Sequence, residues 1–128
     1  MTKTIFFVED EKALVKTLSE FLRAKGYRVE VAYNGLEALR SLPTVKPDLI
    51  LLDIILPEMS GIDFLKEVQK EGAEYAAVPV LVLSNLQGDE GSFEKLGLKI
   101  EGYFVKANTR LEELCVKIEE VLNKKHHS

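Results

Sequence analysis

Cysteine is nearly missing from this chain: Cys115 stands alone among 128 residues. A single thiol excludes an internal disulfide and suits a reducing compartment. Long apolar runs are missing as well. No stretch approaches the roughly 18 consecutive apolar residues of a membrane span. The opening MTKTIFFVEDE turns acidic too early for a signal peptide. Positive charge is not in excess: 17 Lys and Arg against 21 Asp and Glu leave a net charge of −4, which argues against nucleic acid as a direct partner. No linker-like stretch or internal repeat divides the sequence, and a chain of this length fits one hydrophobic core. The expectation is a cytoplasmic protein with one domain over residues 1–124 and a disordered tail over 125–128. His126 and His127, the only histidines, fall in that tail and make a poor metal site.

What the chain does have is alternation. Short runs rich in Val, Ile, Leu and Phe exchange with longer segments of helical period. KTIFFV (3–8) reads as a strand, and Leu14, Leu18, Phe21 and Leu22 mark one face of a helix that Gly26 ends. RVEVAY (28–33) alternates strictly, as an edge strand does. Asn34 and Glu37 predict a capping pair for a short helix over GLEALRSL. PDLILLD (47–53) is apolar on both faces, which fits a central parallel strand. Ser60 is the expected cap of a third helix carrying Ile62, Leu65 and Val68, with Gly72 just beyond it. VPVLVLS (78–84) and EGYFVK (101–106) complete five strands. Thr109 with Glu112 predicts a capping box for a last helix whose face is Leu111, Leu114, Cys115, Ile118, Val121 and Leu122. The fourth helix is the weak one, because Gly88 and Gly91 each cost about 1 kcal/mol relative to alanine. It starts late or is soft. Strand–helix alternation implies parallel strands joined by right-handed crossovers, hence a three-layer α/β sandwich.

Such sheets place their sites at the carboxyl ends of the strands. Strand one ends in Glu9 and Asp10, strand three in Asp53, strand four in Ser84 and strand five in Lys106. Any one of these has a bland explanation as a cap, a turn residue or a solvated charge; five at one rim do not. Three converging carboxylates repel one another unless a cation joins them. An all-oxygen set without a nearby His or Cys suits Mg²⁺ rather than zinc. A hydrated metal beside a carboxylate and a lysine suits a phosphoryl group. Asp53 can attack in line, while Lys106 and the Ser84 hydroxyl receive the equatorial oxygens.

At these residues the whole chain resembles the receiver domain of bacterial response regulators. The acidic pair Glu9–Asp10, Asp53 followed by IILPEMSG, the hydroxyl of Ser84 and GYFVK ending in Lys106 occur in the family's order. The resemblance implies a flavodoxin-like, five-stranded sheet of order 2-1-3-4-5 with five helices. It implies a two-component signalling domain rather than an enzyme, phosphorylated on Asp53 by a histidine kinase or phosphotransfer protein with Mg²⁺. Asp10 and Asp53 would ligate the metal by side chain, Ile55 by its backbone carbonyl, and Glu9 through water. Ser84 and Tyr103 would form the switch pair, and the surface of helix four, strand five and helix five would meet a downstream protein effector. A phosphorylation-dependent homodimer is compatible with this surface. Residues 86–97 would be the most mobile part of the unphosphorylated chain.

The sequence departs from the family pattern where Ala107 replaces the proline common after the lysine, so the Lys106–Ala107 peptide is expected to be trans. Asn85 stands where a small residue is common, and Ile55 and Leu86 where polar side chains are common. Three rival readings are weaker. A small Mg²⁺-dependent phosphohydrolase needs an Asp-x-Asp motif after strand one, where this chain has EDE. A flavin binder needs a glycine- and hydroxyl-rich loop there, and VEDEK is acidic. A pseudo-receiver, binding partners without phosphorylation, would not need the full acidic set.

Overall fold

The computed structural model describes residues 2–88 and 90–125; His126 and His127 of the expected tail lie outside the described residues. Five parallel strands, β1 (Thr4–Val8), β2 (Arg28–Ala32), β3 (Leu49–Leu52), β4 (Val80–Ser84) and β5 (Gly102–Val105), lie in the order β2-β1-β3-β4-β5. The strictly alternating β2 is an edge strand, as expected, and the doubly apolar β3 is central. Alternation along the strands divides the core. Phe6, Val8, Ile50, Leu52, Val80 and Val82 pack on one face, and Ile5, Phe7, Leu49, Leu51, Leu81 and Leu83 on the other. The first face is covered by α2 (Gly35–Val45) and α3 (Gly61–Gln69), the second by α1 (Lys12–Ala24) and α5 (Leu111–Lys125). With both faces of the sheet apolar, burial drives the sandwich together and polar chemistry is confined to the strand ends.

The helix ends obey local chemistry with instructive exceptions. Gly26, at φ 98°, closes α1, with its own N–H donated to the Arg23 carbonyl and that of Tyr27 to the Leu22 carbonyl. Asn34 and Ser60 cap α2 and α3, accepting from the N–H groups of Glu37 and Asp63 at 2.7 and 3.1 Å. Two expectations are corrected. First, α2 runs three residues past Leu42, through Pro43, because a proline there removes one hydrogen bond while Leu42 and Val45 still pack on the core. Second, the Thr109–Glu112 box does not form. A 3₁₀ turn over Lys106–Asn108 consumes one more residue; Arg110 takes the cap position, its N–H 3.4 Å from Glu113 Oε1, and the Thr109 hydroxyl donates to the Val105 carbonyl at 2.8 Å. Gly72, at φ 81°, lies in the turn just beyond α3, as expected, with Lys70 at the cap position. The fourth helix, α4, contracts to Glu90–Glu94; Gly91 lies inside it and Gly88 before it.

Close backbone approach fixes the functional rim. A Cβ on Gly61 would lie 2.3 Å from the carbonyl oxygen of Asp53 and 2.7 Å from the Cα of Ile54, so α3 begins against the end of β3 only because residue 61 has no side chain. The Gly61 N–H donates to the Ile54 carbonyl at 2.8 Å and locks that approach. Gly61→Ala is therefore expected to cost about 1–3 kcal/mol of stability in urea unfolding, since backbone atoms must move to admit the methyl group. An unchanged midpoint would contradict the tight junction.

Candidate functional site

The carboxyl ends of β1, β3, β4 and β5 meet at a cleft of about 230 Å³ lined by Asp10, Glu11, Asp53, Ile55, Ser84, Asn85 and Lys106. A larger surface groove of about 650 Å³ lies beside β2 and α2, lined by Glu30, Arg40 and Glu58 among others, with no ion pair among the described residues joining Arg40 to either acid. Convergence, not volume, marks the site. The Lys106 ammonium lies 3.1 Å from Asp53 Oδ2 and 2.9 and 3.0 Å from the two oxygens of Glu9. Glu9 is fully buried and Asp53 is 5% exposed. Burial drives the Glu9 carboxyl pKa up to about 7, the Asp53 charge adds to the rise, and the Lys106 ammonium opposes it. Lys106 is itself partly desolvated, which lowers its pKa, but its bonds to Glu9 and Asp53 more than offset this and hold it above its ordinary value.

Ser84 and Tyr103 meet through the backbone of Leu86. The Leu86 N–H donates to Ser84 Oγ at 3.4 Å, and its carbonyl accepts from the Tyr103 hydroxyl at 2.9 Å. Tyr103 packs toward the α2–α3 face and Phe104 toward the α1–α5 face, as alternation along β5 requires. Its ring lies 5.8 Å from that of Phe93, and a Cβ on Gly88 would stand 3.2 Å from it. Burial raises the Tyr103 pKa and Asp53 adds to this, while the Ser84 hydroxyl works against it. Gly88, read from sequence as a helix breaker, is here the residue that leaves room for the tyrosine.

The donor set fits a hard divalent cation. Carboxylate oxygens of Glu9, Asp10 and Asp53 lie within 4.8 Å of one another. Glu9 Oε1 is buried and has no aligned hydrogen-bond donor although the ammonium is close, so the contact is one of charge. Asp10 is exposed, leaving the group open to solvent on one side, as a hydrated cation would require. Ile55 stands at the rim, its N–H 3.4 Å from Asp53 Oδ1 and its side chain 60% exposed.

The model of the response regulator receiver domain matches residues 5–119. The chain belongs to that family. The receiver is 38% identical over 100 residues to the alkaline phosphatase synthesis transcriptional regulatory protein PhoP of Bacillus subtilis, covering 78% of this chain and 40% of that protein. It is 32% identical over 123 residues to the transcriptional regulatory protein CrdR of Helicobacter pylori, covering 96% and 56%. The chain thus spans about half the length of the curated relatives it matches. Among solved structures it resembles a CheY-like receiver domain from Methanospirillum hungatei (TM-score 0.87, 26% identity, 99% and 98% of the chains covered). The chemotaxis response regulator CheY4 of Vibrio cholerae is similar as well (TM-score 0.82, 28% identity, 94% and 99% covered).

The receiver brings six of the seven predicted side chains, Glu9, Asp10, Asp53, Ser84, Tyr103 and Lys106, to one rim, with Ile55 beside them. The Lys106–Ala107 peptide is trans, no cis bond occurring among the described residues, and the ammonium nevertheless reaches Asp53. Three participants were not singled out from sequence: the Leu86 peptide group, Gly61 and Glu11, whose carboxylate lies 3.5 Å from Lys106. Only VEDE, with its third acid, carried a trace of the last.

Proposed function

We propose that Asp53 accepts a phosphoryl group from a histidine kinase or phosphotransfer protein, and that this biases the Ser84–Tyr103 pair and the surface of α4, β5 and α5 toward a protein effector. The observation that carries the reading is the Asp53 carboxylate held 3.1 Å from a partly buried ammonium and beside two further carboxylates. In the transfer, an Asp53 oxygen forms a bond to phosphorus as the P–N bond of the phosphohistidine breaks, and the departing imidazole takes up a proton. Lys106 receives one equatorial oxygen and the Ser84 hydroxyl another, which draws Ser84 from the Leu86 N–H and frees the loop that Tyr103 holds. Glu9, Asp10, Asp53 and the Ile55 carbonyl would hold Mg²⁺, which when bound offsets the charge of the carboxylates and of the incoming phosphoryl oxygens. Exposed Leu96 after α4 and Val116 on α5 supply apolar area on the proposed output face. The longer relatives are named transcriptional regulators, so contact with nucleic acid would fall to segments outside this domain.

Intact mass after treatment with acetyl phosphate and Mg²⁺ tests the reading. One phosphoryl adduct that a chelator prevents is the expected result. No adduct, together with no response to beryllofluoride, would instead favour a pseudo-receiver.

The rim also bears on how long the product lasts. Ile55, 60% exposed, lines the cleft where water would have to approach, and Leu86, 44% exposed, follows the lining residues Ser84 and Asn85. Ile55→Asn and Leu86→Glu are expected to speed loss of the phosphoryl group by roughly three- to tenfold each, a barrier change of about 1 kcal/mol. Unchanged autodephosphorylation rates would remove the idea.

A further inference from the structure

Glu11 occupies the cap position of α1, with extended backbone (φ −81°, ψ 97°), yet its side chain makes no capping bond. Glutamate is not among the favoured caps, so helix chemistry does not explain it. The carboxylate is placed elsewhere: Oε2 lies 3.5 Å from the Lys106 ammonium, on the same cleft, while the Glu11 N–H donates to Glu9 Oε2 at 3.1 Å. The three-carboxylate cluster suited to a cation consists of Glu9, Asp10 and Asp53, and Glu11 stands outside it. Three carboxylates, Glu9, Glu11 and Asp53, therefore contact the one ammonium, and Glu11 alone among them stands outside the cation cluster. With its side chain 53% exposed, it is held weakly, because solvent screens exposed ion pairs.

We infer that Glu11 is a specificity-determining residue that competes with anionic groups for Lys106. This rests on the phospho-acceptor reading and adds to it the determinant that grades the response to anions. A phosphoryl oxygen arriving at the ammonium must displace the Glu11 carboxylate and then tolerate it nearby as an uncompensated like charge. The unmodified state is favoured accordingly, and anions unable to engage both the cation site and Lys106 are rejected. Because the competition is coulombic and solvent-exposed, it fades with salt. A packing role would not.

The test is titration of the Mg²⁺-loaded protein with beryllofluoride, followed by the change in tyrosine fluorescence or amide chemical shifts, at low and high ionic strength. Glu11→Gln keeps the shape and removes the charge. It is expected to tighten beryllofluoride binding roughly three- to tenfold at low salt, with the advantage shrinking toward unity near 1 M salt. Glu11→Asp, charged but shorter, should fall between the two. Equal or weaker binding by Glu11→Gln at low salt, or an advantage that salt does not reduce, would overturn the inference while leaving the phospho-acceptor reading intact. Absence of any response in the unaltered protein would overturn both. The urea midpoint of Glu11→Gln, measured in parallel, is expected to match that of the parent, because an exposed ion pair adds little to stability.

Discussion

Asp53→Asn is expected to abolish phosphoryl uptake from acetyl phosphate, with at least a hundredfold loss in rate, while leaving the fold intact or firmer. The first half follows from chemistry. A carboxylate oxygen forms the bond to phosphorus, and the neutral amide that replaces it is a poor nucleophile. The second half follows from electrostatics. Asp53 is 5% exposed beside the fully buried Glu9, and its charge is one cause of the raised Glu9 pKa. Removing that charge relieves repulsion, and Lys106 keeps Glu9 and Glu11 as partners. An amide oxygen can still accept the Ile55 N–H that Asp53 Oδ1 now receives. Intact mass and urea unfolding on the same sample check both halves. An undiminished adduct would move the acceptor to another residue, whereas lost uptake with a collapsed midpoint would show only that Asp53 is structural.

Much of this arrangement was legible in the sequence because its causes are local. Period-two and period-3.6 patterns separate strand from helix, and a doubly apolar strand such as LILL has to be covered on both faces. Carboxyl-end polar residues then fall at one rim by topology alone. What was not legible has causes in other segments. Gly61 is constrained by the carbonyl of Asp53, eight positions earlier, and Gly35 by the Met59 carbonyl, only 2.0 Å from where its Cβ would stand. Gly88 reads as a helix breaker until Tyr103 is seen against it. The α5 cap shifted by one residue because a 3₁₀ turn followed β5, and no side chain in KANTR announces that turn. The Leu86 peptide group links Ser84 and Tyr103 through its backbone, to which the identity of its side chain is blind.

The second large effect is on pH and divalent metal together. The Glu9 pKa is raised from 4.5 to about 7 by burial. Below pH 4.5 Glu9 is protonated in folded and unfolded chains alike. Between 4.5 and 7 the unfolded chain releases this proton and the folded chain retains it, so stability falls as pH rises through the window and levels off above it. The difference amounts to about 3 kcal/mol. Lys106 does not blur the measurement. Its pKa is raised above 10.5, so its stabilising share is lost only at still higher pH. In the presence of a chelator, the urea midpoint is therefore expected to drop from pH 5 to pH 8, and Glu9→Gln should flatten that slope without removing the opposing trend of other carboxylates. Mg²⁺ should act most strongly at the alkaline end, because a bound cation favours ionised Glu9 and binding to the folded state alone adds about 1.4 kcal/mol for each tenfold excess over its dissociation constant. A Mg²⁺ gain equal at pH 5 and pH 8, or a slope that survives Glu9→Gln unchanged, would mean that the buried carboxylate is not the group through which metal, proton and fold are linked.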